Sequence, residues 1–342
     1  MRHWNKPTVL TAAGGIAFLL AARAVVRWWR EYDLRNKIVL ITGGSRGLGL
    51  VMARQLLQQG ARVAIGARDN SELERARRDL GQDNGRVLTV PCDISDREQV
   101  QAMVHDVQHH FGRIDVLINN AGTIQVGPVE LMTLNDYEEA MKVHFWGPLY
   151  TILAVWPGMR QRREGRIVNI SSIGGKVSVP HLLPYSASKF ALVGLSEGLR
   201  AELAKDGIVV TTVCPGLMRT GSPGNASFKG QHRAEYTWFS IGDALPLVSQ
   251  SAERAARRII AACKRGDAEV MLSFPAKLAT LVHDLFPGWT ADVLGLTNTL
   301  LLPGPNGIGT AQLPGKHSSS PLSPSWLTTL SDRAAQRNNE NA

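Results

Sequence analysis

Cysteine is nearly missing from this chain: Cys92, Cys214 and Cys263 stand far apart among 342 residues. Three scattered thiols build neither a disulfide framework nor a tetrahedral zinc site, and reduced core thiols are the remaining reading. Zinc-finger and RNA-binding signatures are lacking as well, although the net charge of +9 has the sign that suits nucleic acid. Arg2, Lys6, Arg23, Arg27 and Arg30 contribute five of those charges before residue 31, with no acid among them. The excess is therefore partly an N-terminal property, and no nucleic-acid partner is expected. Residues 8–22 carry no charge, yet as a helix they reach only about 22 Å, short of a hydrocarbon core of about 30 Å.

That segment nearly spans a bilayer if it continues through Ala24, Val25, Val26, Trp28 and Trp29 with Arg23 and Arg27 snorkelling to the headgroups. Three readings fit: a short membrane anchor, a cleaved signal peptide, and an amphipathic helix packed on the domain. Ala22-Arg23-Ala24 satisfies a signal-peptide pattern. The paired tryptophans with Arg23, Arg27, Arg30, Arg35 and Lys37 read instead as an interfacial belt, positive side toward the rest of the chain. They favour an anchor over residues 1–30, with the domain membrane-associated and facing the cytoplasm.

With 44% apolar and 20% charged residues, the remainder suits one large α/β domain with appendages. Strands are expected at Ile38–Ile41, Arg62–Gly66, Arg86–Pro91, Ile114–Ile118, Arg166–Ser171, Ile208–Val213 and Ala268–Leu272. Helices separate them, most clearly at Asp96–Phe111, Leu134–Arg160, Tyr185–Lys205 and Ala252–Lys264. Repeated β-α units imply a single doubly wound, Rossmann-type parallel sheet with helices on both faces over residues 31–272. Ligands then gather at the carboxyl ends of the strands.

Two stretches carry chemistry. Ile38–Ile41 runs into Thr42-Gly43-Gly44-Ser45-Arg46-Gly47-Leu48-Gly49 and then a helix. Strand, glycine-rich turn and helix N-terminus together make a pyrophosphate cradle, where the backbone approaches closely and free N–H groups meet negative charge. The second stretch is Tyr185-Ser186-Ala187-Ser188-Lys189. Positions i and i+4 share a helix face, so the ammonium of Lys189 sits beside the phenol of Tyr185 and lowers its pKa into a useful range. Ser172, at the end of the strand at 166–171, delivers a hydroxyl upstream.

From about residue 37 to 272 the chain resembles the short-chain dehydrogenase/reductase family, in its NADP-preferring form. It carries TGxxxGxG as Thr42-Gly43 through Gly47-Leu48-Gly49, NNAG as Asn119-Asn120-Ala121-Gly122, the Ser172/Tyr185/Lys189 set, and Pro215-Gly216 with Thr220 beyond. The resemblance implies that Thr42, Gly43, Ser45, Arg46, Gly47, Leu48, Gly49, Asn120, Ala121 and Gly122 hold the cofactor. By the same resemblance Asp93 meets the adenine edge, Asn119 braces the central strands, and Pro215, Gly216 and Thr220 hold the nicotinamide amide. Ser172 bonds the substrate oxygen, Tyr185 moves the proton, and Lys189 binds the ribose and depresses the tyrosine pKa.

Cofactor choice is read at the end of the second strand, Ala64-Ile65-Gly66-Ala67-Arg68-Asp69. The family's usual place for a ribose-binding acid holds Ala67, and Arg68 and Arg46 suit a 2′-phosphate, which favours NADP. Asp69 is either a rival ribose ligand or a helix cap. In Met141–Gly147 the chain has His144 where relatives commonly place a water-holding asparagine. A neutral imidazole offers one donor and one acceptor, so His144 is expected in the proton relay; packing is its other reading.

Aromatics at Phe228, Tyr236, Trp238 and Phe239 fall in the segment 221–245, which corresponds to the family's variable substrate loop. They either line an apolar pocket or pack the loop on its domain. An apolar stretch over 278–302 predicts a helical extension within 273–302. Pro303-Gly304-Pro305 and the Ser/Pro-rich 318–325 predict a linker and a weakly ordered tail over 303–342, with a short helix near 326–336. The whole reads as a membrane-associated oxidoreductase that interconverts a secondary alcohol and a carbonyl on an apolar small molecule, with no metal and with homo-oligomers in scope. A dinucleotide-binding sensor or scaffold without turnover is the rival class.

Overall fold

Ile38-Val39-Leu40-Ile41-Thr42 form strand β1, buried along its length, and their side chains alternate between two cores. Ile38 and Leu40 face one apolar cluster, Val39 and Ile41 the other. A strand sealed on both faces sits in the middle of a helix-covered parallel sheet. The computed structural model describes residues 31–81, 85–245, 248–320, 323 and 328–340; the expected anchor at 1–30 lies outside them.

Helix α1 (Gly47–Gln58) follows β1, then β2 (Arg62–Ala67), α2 (Asn70–Leu80), β3 (Val87–Pro91), α3 (Arg97–Phe111) and β4 (Val116–Asn119). A short β5 (Gln125–Val126) and α4 (Leu134–Met141) lead to α5 (Gly147–Arg162), β6 (Gly165–Ile170), α6 (Leu183–Leu203) and β7 (Ile208–Cys214). After β8 (Met218–Arg219) and β9 (Ser227–Phe228) come α7 (His232–Ala244), β10 (Gln250–Ser251), α8 (Ala252–Arg265) and β11 (Glu269–Met271). The seven-stranded sheet has the order β11-β7-β6-β4-β1-β2-β3, all parallel, so the chain reverses direction across the sheet between β1 and β4. The crevice at that switch point is where such sheets bind ligands.

Helices α1 and α8 close one face with Leu50, Met52, Leu56, Ala255, Ala256 and Ile259; α3 and α5 close the other with Val100, Val104, Val107, Ile152 and Val155. Each of the Leu, Ile, Val and Met side chains, fully buried, contributes about 1.5–3 kcal/mol. Local caps set the helix starts: Asp69 Oδ1 accepts from Glu72 N at 2.9 Å and Asp96 Oδ1 from Glu98 N at 2.9 Å.

Two elements differ from expectation. The helix expected unbroken over 134–160 contains a π turn, Lys142–Trp146, and His144 is its buried residue. The wider turn resets which side chains face inward, a device frequent at functional sites. Second, the stretch expected to be a weakly ordered tail is docked. Helices α9 (Phe274–Leu285) and α10 (Pro287–Leu301) form the extension; then β12 (Leu313–Pro314) pairs antiparallel with β9, and α11 (Thr329–Arg337) packs near α7. Composition underestimated this segment because its bonds are made to residues far away in the chain. Part of the Ser/Pro-rich stretch, and Trp326, lie outside the described residues.

Candidate active site

The loop between β1 and α1 turns through Gly43 at φ +63° and Gly47 at φ +54°, backbone that L side chains rarely adopt. A Cβ on Gly43 would lie 2.7 Å from Ala121 Cα, and one on Gly49 only 2.1 Å from Gly43 O. The loop is tied to the end of β4: Asn120 N and Ala121 N donate to Thr42 Oγ1 at 3.1 and 3.2 Å, and Asn120 Nδ2 donates to Gly43 O at 2.9 Å. The N-cap residue of α1, Arg46, supplies no side-chain cap, and no acid stands in the first turn. A helix N-terminus without a side-chain cap, its dipole and crowding relieved by glycine fit a pyrophosphate, and a carboxylate, that of Glu340, already stands there.

Asn119 is buried and links strands and helices: it donates from Nδ2 to Asn169 Oδ1 at 2.9 Å and accepts from Thr151 Oγ1 at 2.7 Å. Ser196 continues the network, joining Asn169 to Thr212. This polar network fixes the lateral position of β4, β6 and β7, hence of the groups at their carboxyl ends.

Ser172 follows β6 and accepts from Gly174 N at 3.1 Å. Tyr185 and Lys189 lie on α6, the Nζ of Lys189 5.6 Å from the Tyr185 ring centre and donating to Ile170 O at 2.9 Å. Gly122 borders the same space: a Cβ there would meet His144 Nε2 at 3.1 Å and Lys189 Nζ at 3.8 Å. Serine, tyrosine, lysine and the NNAG loop therefore converge beside the glycine-rich turn.

Electrostatics correct the expectation that Lys189 is a fixed cation depressing Tyr185. Burial pushes the Tyr185 phenol up, with a hydrogen bond from Ser172 opposing it, and burial brings Lys189 down to about 7. For His144 the contacts favour the packing reading. Its Nε2 accepts from Thr123 N at 3.1 Å and its Nδ1 lies 2.8 Å from Ser188 Oγ, so both ring nitrogens are engaged with protein groups. Burial, then the charge of Lys189, hold its pKa well below the ordinary histidine value.

At the far end of the crevice Arg68 is exposed and Asp69 is committed to capping α2. Arg46 is paired with Glu72 at 2.7 Å. Asp93 closes a local turn instead of standing open, accepting from Ser95 N and Oγ at 2.9 and 2.7 Å. Pro215 O accepts from Ile173 N at 2.7 Å, which joins the loop after β7 to the Ser172 strand; a Cβ on Gly216 would meet Ser273 Oγ at 2.6 Å. Thr220 Oγ1 accepts from Ser222 N at 3.2 Å.

The loop aromatics are spent largely on packing: Phe228 and Phe239 are buried in a third cluster with Val126 and Leu182, against which Tyr185, Tyr236 and Trp238 pack. Buried polar pairs pin that loop: an ion pair between Lys229 and Asp136, and a hydrogen bond between His181 Nδ1 and Glu235 Oε1 at 2.7 Å. Sequence reasoning missed these pairs, Glu72 and Asn225, as well as residues 338–340 at the glycine-rich loop; only an acid three residues after Asp69 hinted at Glu72.

The model for short chain dehydrogenase matches residues 37–228. A dehydrogenase/reductase SDR family protein 7-like of Anopheles gambiae is 39% identical over 248 residues, 70% of this chain and 76% of that one. A short-chain dehydrogenase structure from Streptomyces avermitilis superposes with a TM-score of 0.64 at 32% identity, covering 77% of this chain and 96% of its own. A short chain dehydrogenase/reductase from Burkholderia phymatum, solved with NAD, gives 0.66 at 25% identity over 73% and 93% of the two chains.

Proposed function

This chain belongs to the short-chain dehydrogenase family of oxidoreductases, and from that premise we propose that it interconverts a secondary alcohol and a carbonyl on an apolar substrate with NADP(H). The observation that carries the reading is the convergence of Ser172, Tyr185 and Lys189 next to the glycine-rich turn. NADP(H), when bound, supplies or accepts the hydride. Thr42, Gly43, Ser45, Arg46, Gly47, Leu48 and Gly49 would hold its phosphates, Asn120, Ala121 and Gly122 the adjoining wall, and Pro215, Gly216 and Thr220 the far end.

In the reducing direction Ser172 Oγ orients the carbonyl oxygen and Tyr185 Oη donates its proton to it. Lys189, with a pKa near 7, restores that proton, because a group matched to neutral pH exchanges protons readily. Arg68, exposed at the end of β2 with Asp69 spent on a cap, supports the 2′-phosphate and so NADP. Ile124 and Val179, partly exposed and packed on the same cluster as Tyr185, support an apolar substrate.

Association with a membrane is supported by α9 and α10. Phe274, Leu285, Trp289, Leu300 and Leu301 are 61–75% exposed there, and α10 buries no residue. Among the described residues no helix is long and apolar enough to cross a membrane. The pair therefore fits a lipid surface, on the cytoplasmic side by our reading of residues 1–30. The deciding experiment is an NADPH-oxidation screen of the purified protein over apolar ketones and aldehydes, with Tyr185→Phe as control. Turnover by the wild type and silence in the variant is expected; equal rates in both would remove Tyr185 as proton donor.

A further inference from the structure

Residues 338–340 lie across the glycine-rich loop. The amide of Gly47, first residue of α1, donates to the Asn338 carbonyl at 2.8 Å, and Asn339 Nδ2 donates to Ser45 O at 2.9 Å. The Glu340 carboxylate enters the loop itself: a Cβ on Gly47 would meet its Oε1 at 2.4 Å, Asn225 Nδ2 donates to Oε2 at 2.6 Å, and Arg46 Nε stands 3.5 Å from Oε2. Asn339 makes the turn that aims it, at φ +58°, a left-handed conformation that costs most residues and that asparagine tolerates. Arg54 holds Arg337 O and Asn338 Oδ1 at 2.8 and 3.0 Å, and Arg75 holds Asn339 Oδ1 at 2.8 Å.

The Asn338 carbonyl thus takes an amide that a pyrophosphate would use at the helix N-terminus, and the Glu340 carboxylate stands against Gly47 and Arg46 in the space the pyrophosphate would fill. We propose that residues 338–340 are a built-in competitor of the dinucleotide, so that cofactor entry requires this segment to leave the glycine-rich loop; the proposal rests on that loop being the cofactor site. The contact is replaceable for a physical reason. Burial pushes the Glu340 carboxyl up to about 7, with Arg46 and Asn225 only partly offsetting it, so the segment is held against a desolvation cost that release removes. A pyrophosphate brings more charge to the same donors.

The test uses the full chain and two readouts: NADPH and NADH dissociation constants, and hydrogen exchange of residues 329–340 with and without saturating NADPH. A site open in a tenth of molecules binds about tenfold more weakly than its intrinsic affinity, so Glu340→Ala should tighten both cofactors by up to about tenfold. Glu340→Gln, which removes charge and keeps shape, should tighten them less. In the wild type, NADPH should speed exchange at residues 329–340 while the β1, β4 and β6 amides stay protected. If dinucleotides bind but the variants leave the constants unchanged or weaken them, or exchange at 329–340 is unmoved, the competitor role is overturned and the segment is a fixed wall of the site. If neither cofactor binds the wild type or the variants, the cofactor-site reading fails, and the competitor with it.

Discussion

Nδ1 of His144 lies 2.8 Å from Oγ of Ser188, the residue just before Lys189 on α6. Ser188 Oγ donates in turn to Tyr185 O at 2.8 Å, so it accepts from His144, and Nε2 is left to accept from Thr123 N. One neutral tautomer, with its proton on Nδ1, satisfies every bond. The imidazole ties the NNAG loop to the helix of Tyr185 and Lys189 and meets the Tyr185 ring edge-on at 5.3 Å. These are the contacts of a positioning residue.

The pH profile of turnover should therefore contain no limb from His144 around the ordinary histidine value, since its folded pKa lies well below 6.5. His144→Ala should keep the wild-type profile, lower kcat, and destabilise by about 1–3 kcal/mol, the cost of leaving a buried donor unpaired. Loss of a profile limb in this variant would restore a titrating role. Thermal melts and kcat against pH measure both.

Carbonyl reduction should weaken as pH rises through about 7, where Lys189 loses the proton that restores Tyr185. The sign is fixed by a proton consumed in reduction; oxidation of the alcohol should improve over the same range. Lys189→Met should cut kcat by at least about 100-fold, and the residual rate should lack that limb. A reduction rate flat from pH 6 to 8.5 would show that Lys189 keeps its charge throughout.

Arg68→Ala should weaken NADPH by about 10–150-fold, the worth of a charged hydrogen bond of about 1.5–3 kcal/mol, and leave NADH nearly unchanged. Paired dissociation constants read this directly. Equal losses for both would place Arg68 away from the ribose.

A chain begun at Glu31 should still sediment with lipid vesicles, more weakly than the full chain, through α9 and α10. Leu285→Asp with Trp289→Asp should reduce that remaining binding by at least about tenfold, because aspartate carries its charge into the apolar boundary. Undiminished binding would mean that vesicle attachment does not run through this face.

Asp243 on α7 is buried, with Oδ1 accepting from Met218 N at 3.0 Å and Oδ2 without a partner. Burial raises its carboxyl from 3.8 to about 7. The folded state thus holds a proton that the unfolded state has lost, and this group makes stability fall as pH rises from about 4 to about 7. Asp243→Asn should raise Tm at pH 8 by about 2–4 °C for each kcal/mol gained and change it little at pH 4. A lower Tm at pH 8 would show that the ionised carboxylate is wanted.

Much of this protein is determined by neighbours in sequence. Alternation in Ile38–Ile41 sends side chains to two cores, Asp69 and Glu72 at cap spacing start α2, glycines permit the turn before α1, and Tyr185 and Lys189 share a face because a helix repeats every 3.6 residues. Those are short-range rules, and they hold before anything packs. What tertiary structure decided depends on environment and distance. Burial moved Lys189 to about 7 and Tyr185 upward, against the order that their spacing suggests, because loss of hydration outweighs the effect of a neighbouring charge. The π turn set His144 between Thr123 and Ser188, from separate parts of the chain. The docking of Asn339 on Ser45 joins residues 294 apart, and no periodicity or composition encodes a contact that forms only when two finished surfaces meet.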